Sequence, residues 1–184
     1  MDSSFAWNER KVAETSPSSS DASFGPEWFR VPLVRQCWRG TPILATIRHE
    51  VSIGTPPTKL YQAVTTENGI GSWWDKPVPV KSEHGLILEF RPGPGHGVLK
   101  MRVLDTIPDQ RVEWECISTH AENSPASAWT GTHIIFEIAE RDGGSTLSFR
   151  HTGWDESNEY FGFCNYNWGV ALQKIKLYCE SSRS

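Results

Sequence analysis

The feature that most constrains this chain is a change of hydrophobic period near Phe161. Before that residue, apolar and polar residues alternate in short runs separated by turn residues, the pattern of half-buried β-strands. After it, apolar residues step by three or four, the spacing of one helix face. The helix positions are Phe161, Cys164, Trp168, Leu172, Ile175 and Cys179. A sheet with one apolar face and a helix with one apolar stripe must cover each other, so the sequence predicts an α+β fold.

Seven strands are predicted in one curved antiparallel sheet. The first runs from Ile47 to Ile53, and the other six are separated by turns rich in Gly, Pro and Asp. Their predicted limits are 78–81, 86–90, 98–104, 111–118, 132–139 and 146–151. One face collects apolar residues, while the other carries charges of both signs that can pair across neighbouring strands.

Two short helices are predicted between the first and second strands. Thr55 precedes Pro56, an arrangement typical of an N-cap followed by proline in the first turn. A second helix is expected to begin near Thr66 and to deliver Trp73 and Trp74 to the core.

The 184 residues allow one domain with an extension. Residues 1–27 are Ser-rich without a period and are predicted to form a flexible tail. Residues 28–45 combine Trp, Arg and Pro, which predicts an extended arm, either packed on its own domain or used for docking or dimerisation. The domain itself is predicted to span 46–184.

Composition excludes several classes of function. The net charge of −4 offers nucleic acid no basic surface. Cys37, Cys116, Cys164 and Cys179 show no Cys-x-x-Cys pair and no His at zinc-ligand spacing, so neither a metal nor another cofactor is expected. Free thiols favour a cytoplasmic protein, and no apolar stretch is long enough for a membrane span.

Four segments resemble one protein superfamily. Residues 53–57 read Ile-Gly-Thr-Pro-Pro, and Thr65-Thr66 leads to a Trp-Trp pair. Residues 147–154 read Leu-Ser-Phe-Arg-His-Thr-Gly-Trp, and the closing helix contains Trp-Gly-Val-Ala-Leu-Gln-Lys-Ile. In their order and spacing these segments resemble the START-like (SRPBCC) superfamily, in particular the branch named after the activator of the heat shock protein 90 ATPase.

The resemblance covers about three quarters of the chain and implies a helix-grip fold, in which the sheet wraps around a long C-terminal helix. It also implies a cavity between the two, which members use for lipids, polyketides or hormones. The residues expected to line this cavity are large rings with a few polar groups. They are His49, Trp73, Trp74, Phe90, Met101, Trp114, Phe136, Phe149, His151, Asn165 and Trp168.

The polar members of this set have more than one interpretation. His49 and His151 fall on the apolar face of the first and last strands, where an imidazole serves as a hydrogen-bonded core group, a ligand contact or an acid–base catalyst. Asn165 lies beside the helix stripe and either holds a loop or contacts a ligand. The rings themselves are core volume or ligand-binding surface.

Three functions follow from these alternatives. The first is a binding domain for a small hydrophobic or aromatic molecule. The second is a protein-interaction module that docks on a chaperone or another partner through its arm and outer surface. The third is a cavity enzyme, such as a cyclase or hydratase, with His49 and His151 as acid or base. The sequence favours the first and leaves the oligomeric state open.

Overall fold

The computed structural model describes residues 44–91, 97–122 and 124–181. The predicted tail and nearly all of the predicted arm lie outside these residues. The last two arm residues, Leu44 and Ala45, form the start of the first strand.

The described residues form seven strands, three α-helices and one 3₁₀ helix. The strands are β1 (Leu44–Ile53), β2 (Val78–Ser82), β3 (Gly85–Phe90), β4 (Leu99–Ile107), β5 (Arg111–Cys116), β6 (His133–Arg141) and β7 (Gly144–Asp155). The helices are α1 (Pro57–Thr65), α2 (Glu67–Gly71), the 3₁₀ helix (Pro125–Trp129) and α3 (Phe161–Glu180).

All seven strands belong to one antiparallel sheet, in the order β1-β7-β6-β5-β4-β3-β2. β1 and β2 therefore lie at opposite edges, and α1 and α2 carry the chain from one edge to the other. The remaining strands follow one another as a meander. A curved antiparallel sheet, a long C-terminal helix and two short helices after the first strand confirm the predicted helix-grip fold.

The core lies between the inner face of the sheet and α3. The predicted helix stripe is confirmed: its members from Cys164 to Cys179 are buried, Phe161 is partly buried, and Ala171 joins them. Each large apolar side chain removed from water contributes about 1.5–3 kcal/mol. The stripe therefore holds α3 against the sheet much more strongly than the intrinsic helix propensity of its residues.

The start of α1 differs from the prediction. Pro56, not Thr55, occupies the N-cap position, and no side chain caps the helix. Thr55 is instead buried in the preceding turn, where its carbonyl accepts a 2.7 Å hydrogen bond from the Ser145 hydroxyl. This hydrogen bond anchors the turn to β7. The N-cap of α1 therefore lies one residue later than predicted.

The outer face of the sheet carries the predicted cross-strand ion pairs. Lys100 lies 3.1 Å from Glu89, and Arg111 lies 2.8 Å from Glu137. Arg150 contacts the same Glu137 oxygen at 2.6 Å. Charges of both signs are thus interleaved over this face, which explains why it needs no covering layer.

Candidate functional site

Large aromatic rings meet between the sheet and α3. They come from the turn after α2, from β3, β5, β6 and β7, from the 3₁₀ helix and from α3. Neighbouring ring centroids lie 4.4–6.5 Å apart, the range of stacked and edge-to-face pairs. This aromatic cluster comprises Trp73, Trp74, Phe90, Trp114, Trp129, Phe136, Phe149 and Trp168.

Trp74 is the half-buried member of the aromatic cluster. Its ring stacks on Phe90 with the centroids 4.4 Å apart, and it meets Trp168 edge to face at 6.0 Å. Trp73, by contrast, is buried and donates its indole N–H to the carbonyl of Ala63 at 2.9 Å. The cluster therefore reaches the protein surface through Trp74.

His151 lies beside the cluster with both ring nitrogens hydrogen-bonded. Trp168 Nε1–H donates to Nδ1 at 2.9 Å, so Nε2 carries the proton of the neutral ring and donates to Thr132 Oγ1 at 2.7 Å. The Thr132 hydroxyl in turn donates a hydrogen bond to the carbonyl oxygen of Trp129. Burial, helped slightly by the charge of His133, lowers the pKa of His151 to about 3. The side chain is thus a neutral structural link and not a proton-transfer group at neutral pH.

His49 and Asn165 meet at a different place. His49 Nε2–H donates to Asn165 Oδ1 at 2.9 Å. The pair lines an open groove of about 690 Å³ between β1 and the outer side of α3, together with residues such as Tyr166 and Leu177. The two histidines share a face of the sheet, since His49 pairs with Phe149 and His151 with Ile47. Each nevertheless has separate partners, so the structure does not show a histidine pair.

The structure thus places the predicted site residues in three settings. Seven rings and His151 are joined through the aromatic cluster, whereas His49 and Asn165 line the groove, with the His49 ring also 6.2 Å from Phe149. Met101 is fully buried in the core beneath the sheet. The most buried of the predicted rings, including Trp114, pack as core side chains.

Three residues in or beside the cluster were not predicted. Trp129 comes from a loop that the sequence marks only as a connection, and it stacks on Trp168 at 5.7 Å. Thr132 completes the bond to His151. Trp154 is fully buried against His151, with ring centroids 4.9 Å apart. The glycine before Trp154 was the available signal, because a glycine inside a strand often marks a bulge.

The three cysteines of the described residues are poor nucleophiles and metal ligands. Cys116, Cys164 and Cys179 are free and buried, and Cys37 lies outside the described residues. Burial raises the pKa of Cys164 to about 11, although the Trp129 indole N–H bonded to its sulfur opposes the shift. Within the described ranges, no group of three or more His, Cys, Asp or Glu could hold a metal ion. None of the described helices is long and apolar enough to cross a membrane.

Comparison with known families gives one match. Residues 54–180 match the family model described as Activator of Hsp90 ATPase homolog 1-like protein. The comparison with curated proteins finds no match.

Solved structures share the fold. The Aha1 dimer from Colwellia psychrerythraea is 28% identical, with a TM-score of 0.63 over 76% of this chain and 99% of that one. Protein MLL2253 from Mesorhizobium loti is 19% identical, with a TM-score of 0.65 over 76% and 100%. CalU16 from Micromonospora echinospora is 17% identical, with a TM-score of 0.55 over 76% and 66%. At such low identity the last two support the fold alone.

Proposed function

We propose that this chain, which belongs to the family of Activator of Hsp90 ATPase homolog 1-like proteins, binds a small hydrophobic or aromatic molecule between the sheet and α3. The observation that carries the proposal is Trp74. A partly exposed indole that stacks on Phe90 and touches Trp168 offers a flat apolar ligand an aromatic contact at the edge of the core. We further propose a cytoplasmic location, which the three free thiols support.

Binding is favoured over catalysis by the chemistry of the histidines. A general base needs a free nitrogen within reach of a substrate and a pKa near the working pH. His151 has neither, because Trp168 and Thr132 occupy both of its nitrogens and its pKa is far below neutrality. The cyclase or hydratase alternative would therefore depend on His49 alone.

The proposal is tested with 2-acetylnaphthalene as the probe. The full chain, labelled with ¹⁵N at its indoles, is titrated with the compound and the tryptophan N–H resonances are followed by NMR. Saturable shifts are expected. Trp74→Leu should weaken binding roughly three- to tenfold, the effect of one lost aromatic contact.

Tyr166→Leu is the matched control, because Tyr166 is 72% exposed and lines the groove instead of the cluster. This variant should bind like the wild type. A loss of affinity in Tyr166→Leu with none in Trp74→Leu would move the site to the groove. The absence of any saturable shift in the wild type would refute the proposed function.

A protein-interaction role is the second candidate, supported by apolar side chains on the outer side of α3. Phe163 is 44%, Tyr166 72% and Leu177 58% exposed, and exposed apolar patches often mark contact surfaces. The family description names a chaperone ATPase, and the Colwellia psychrerythraea structure is a dimer.

Analytical ultracentrifugation over a concentration series, with and without purified heat shock protein 90, tests this role. Leu177→Asp should abolish self-association or chaperone binding, while Leu104→Asp, on a strand, serves as the control. If the wild-type protein is monomeric and does not bind the chaperone, both self-association and chaperone binding are excluded.

A further inference from the structure

Trp154 differs from the other buried tryptophans in one respect. Its side chain is fully buried, yet its Nε1–H has no hydrogen-bond partner, the single such case among buried side-chain nitrogens and oxygens of the described residues. Buried donors in native proteins are almost always paired with protein groups, water or a ligand. The unpaired N–H therefore requires an explanation.

The neighbouring indoles show that the surroundings can satisfy such a donor. Trp73 donates to the carbonyl of Ala63 and Trp168 to His151, both at 2.9 Å, while Trp129 donates to the sulfur of Cys164 at 3.4 Å. Acceptors are thus provided for three tryptophans of the aromatic cluster. The N–H of Trp154 has no such acceptor, although its ring touches His151, which lies beside the cluster.

A β-bulge in β7 directs the Trp154 ring into the core. Along β7, Phe149 and His151 point inward, and strict alternation would direct residue 153 inward and Trp154 outward. Gly153 interrupts the alternation with a φ of +87°, and the pairing with β1 shifts by one residue between Ala45 and Thr46. This bulge turns Trp154 into the interior. The bulge at Gly153 thus places in the interior an indole whose N–H has no acceptor.

We infer that the Trp154 Nε1–H is the donor that recognises a neutral acceptor oxygen, such as a ketone, ester or ether oxygen, on the bound molecule. The inference rests on the proposed function and specifies its ligand class. A neutral acceptor fits because the rings against Trp154, His151 at 4.9 Å and Phe161 at 5.7 Å, carry no charge that could balance a buried carboxylate.

A pair of probes of similar shape tests the inference. The compounds are 2-acetylnaphthalene, which carries a ketone oxygen, and 2-ethylnaphthalene, which does not. The affinities of both are measured by NMR on the full chain, as are the shifts of the ¹⁵N-labelled Trp154 indole. We expect the ketone to shift the Trp154 N–H downfield, and the hydrocarbon to leave it in place.

Trp154→Phe retains an aromatic ring and removes the donor. This change should lower the ratio of ketone to hydrocarbon affinity roughly three- to tenfold, the usual effect of one neutral hydrogen bond. Tyr166→Leu is the control, because Tyr166 lines the groove and lies outside the aromatic cluster. The affinity ratio should be unchanged in this variant.

The outcomes separate this inference from the proposed function. If neither compound binds, the proposed function fails and the inference falls with it. If both bind but the Trp154 resonance does not respond to the ketone, or the affinity ratio survives in Trp154→Phe, ligand binding stands and the role of Trp154 is refuted. An indole that exchanges magnetisation with a bound water, unchanged by the ketone, would refute it in the same way. The resonance of the wild type decides the matter even if Trp154→Phe does not fold.

Discussion

Because His151 is held neutral in the folded protein, the fold should lose stability at mildly acidic pH, where the unfolded chain takes up a proton at this residue. The neutral ring accepts from Trp168 at Nδ1 and donates to Thr132 from Nε2. A second proton would bind at Nδ1 and oppose the Trp168 N–H, and its charge would be buried because the side chain is 0% exposed. The pKa of His151 accordingly falls to about 3, whereas an unfolded chain has a histidine pKa of about 6.5.

The sign and size of the effect follow from linkage. Between the two pKa values the unfolded chain binds more protons than the folded one, so stability is complete above about pH 6.5 and is lost as the pH falls towards 3. Each pH unit in this window is worth up to about 1.4 kcal/mol. From pH 7.5 to pH 5, His151 should therefore remove about 2 kcal/mol from the free energy of unfolding.

Urea unfolding of wild type and His151→Gln at both pH values measures this contribution. The stability advantage of the wild type over the variant should shrink by about 2 kcal/mol at pH 5. The imidazole resonances of His151 should also not titrate between pH 8 and pH 4.5. A titration midpoint near 6.5, or an equal cost of His151→Gln at both pH values, would refute the reasoning.

The sequence predicts the sheet and α3 well for one physical reason. Each element has one face in water and one in the core, so burial imposes a period of two on the strands and of 3.6 on the helix. Phe136 and Phe149, predicted on the inner face, are directly opposite each other in the β6–β7 register. Cys164 and Trp168, predicted on the stripe, are buried.

The same reasoning fails where the period is interrupted. Alternation along β7 holds from Ser145 to His151, and Gly153 then shifts it by one residue, so that Trp154 is buried and Asp155 is exposed. Trp129 lies in a 3₁₀ helix within a loop, where no period exists from which to infer burial. The cluster members on the strands, on α3 and after α2 could therefore be predicted, whereas Trp129 could not.

The position of Asn165 shows a second limit. The sequence places it one residue from Cys164, beside the stripe, but only the rotation of α3 about its axis decides whether such a residue faces the core or the rim. In the structure it bonds His49 at the open groove. Because α3 also contacts β1 and α1, its rotation depends on long-range packing that no local pattern encodes.

Two further predictions follow from the cysteines and from the bulge. Because burial raises the pKa of all three described thiols, Ellman's reagent at pH 8 should leave Cys116, Cys164 and Cys179 unmodified in the native protein and modify them after denaturation; a disulfide in the unreduced denatured chain would contradict this. Gly153→Ala should lower the free energy of unfolding by about 1–2 kcal/mol, the cost of a left-handed backbone for a residue with a side chain, and the new Cβ would also lie 3.4 Å from the backbone of residue 132. Gly162→Ala is the matched control, since its Cβ would meet nothing within 4 Å and its helical site favours Ala. Urea unfolding should therefore show a loss for the first variant and none for the second. Equal stability of Gly153→Ala and the wild type would mean that the backbone at residue 153 does not need a glycine, and the bulge that buries Trp154 would then have to arise from packing of the indole itself.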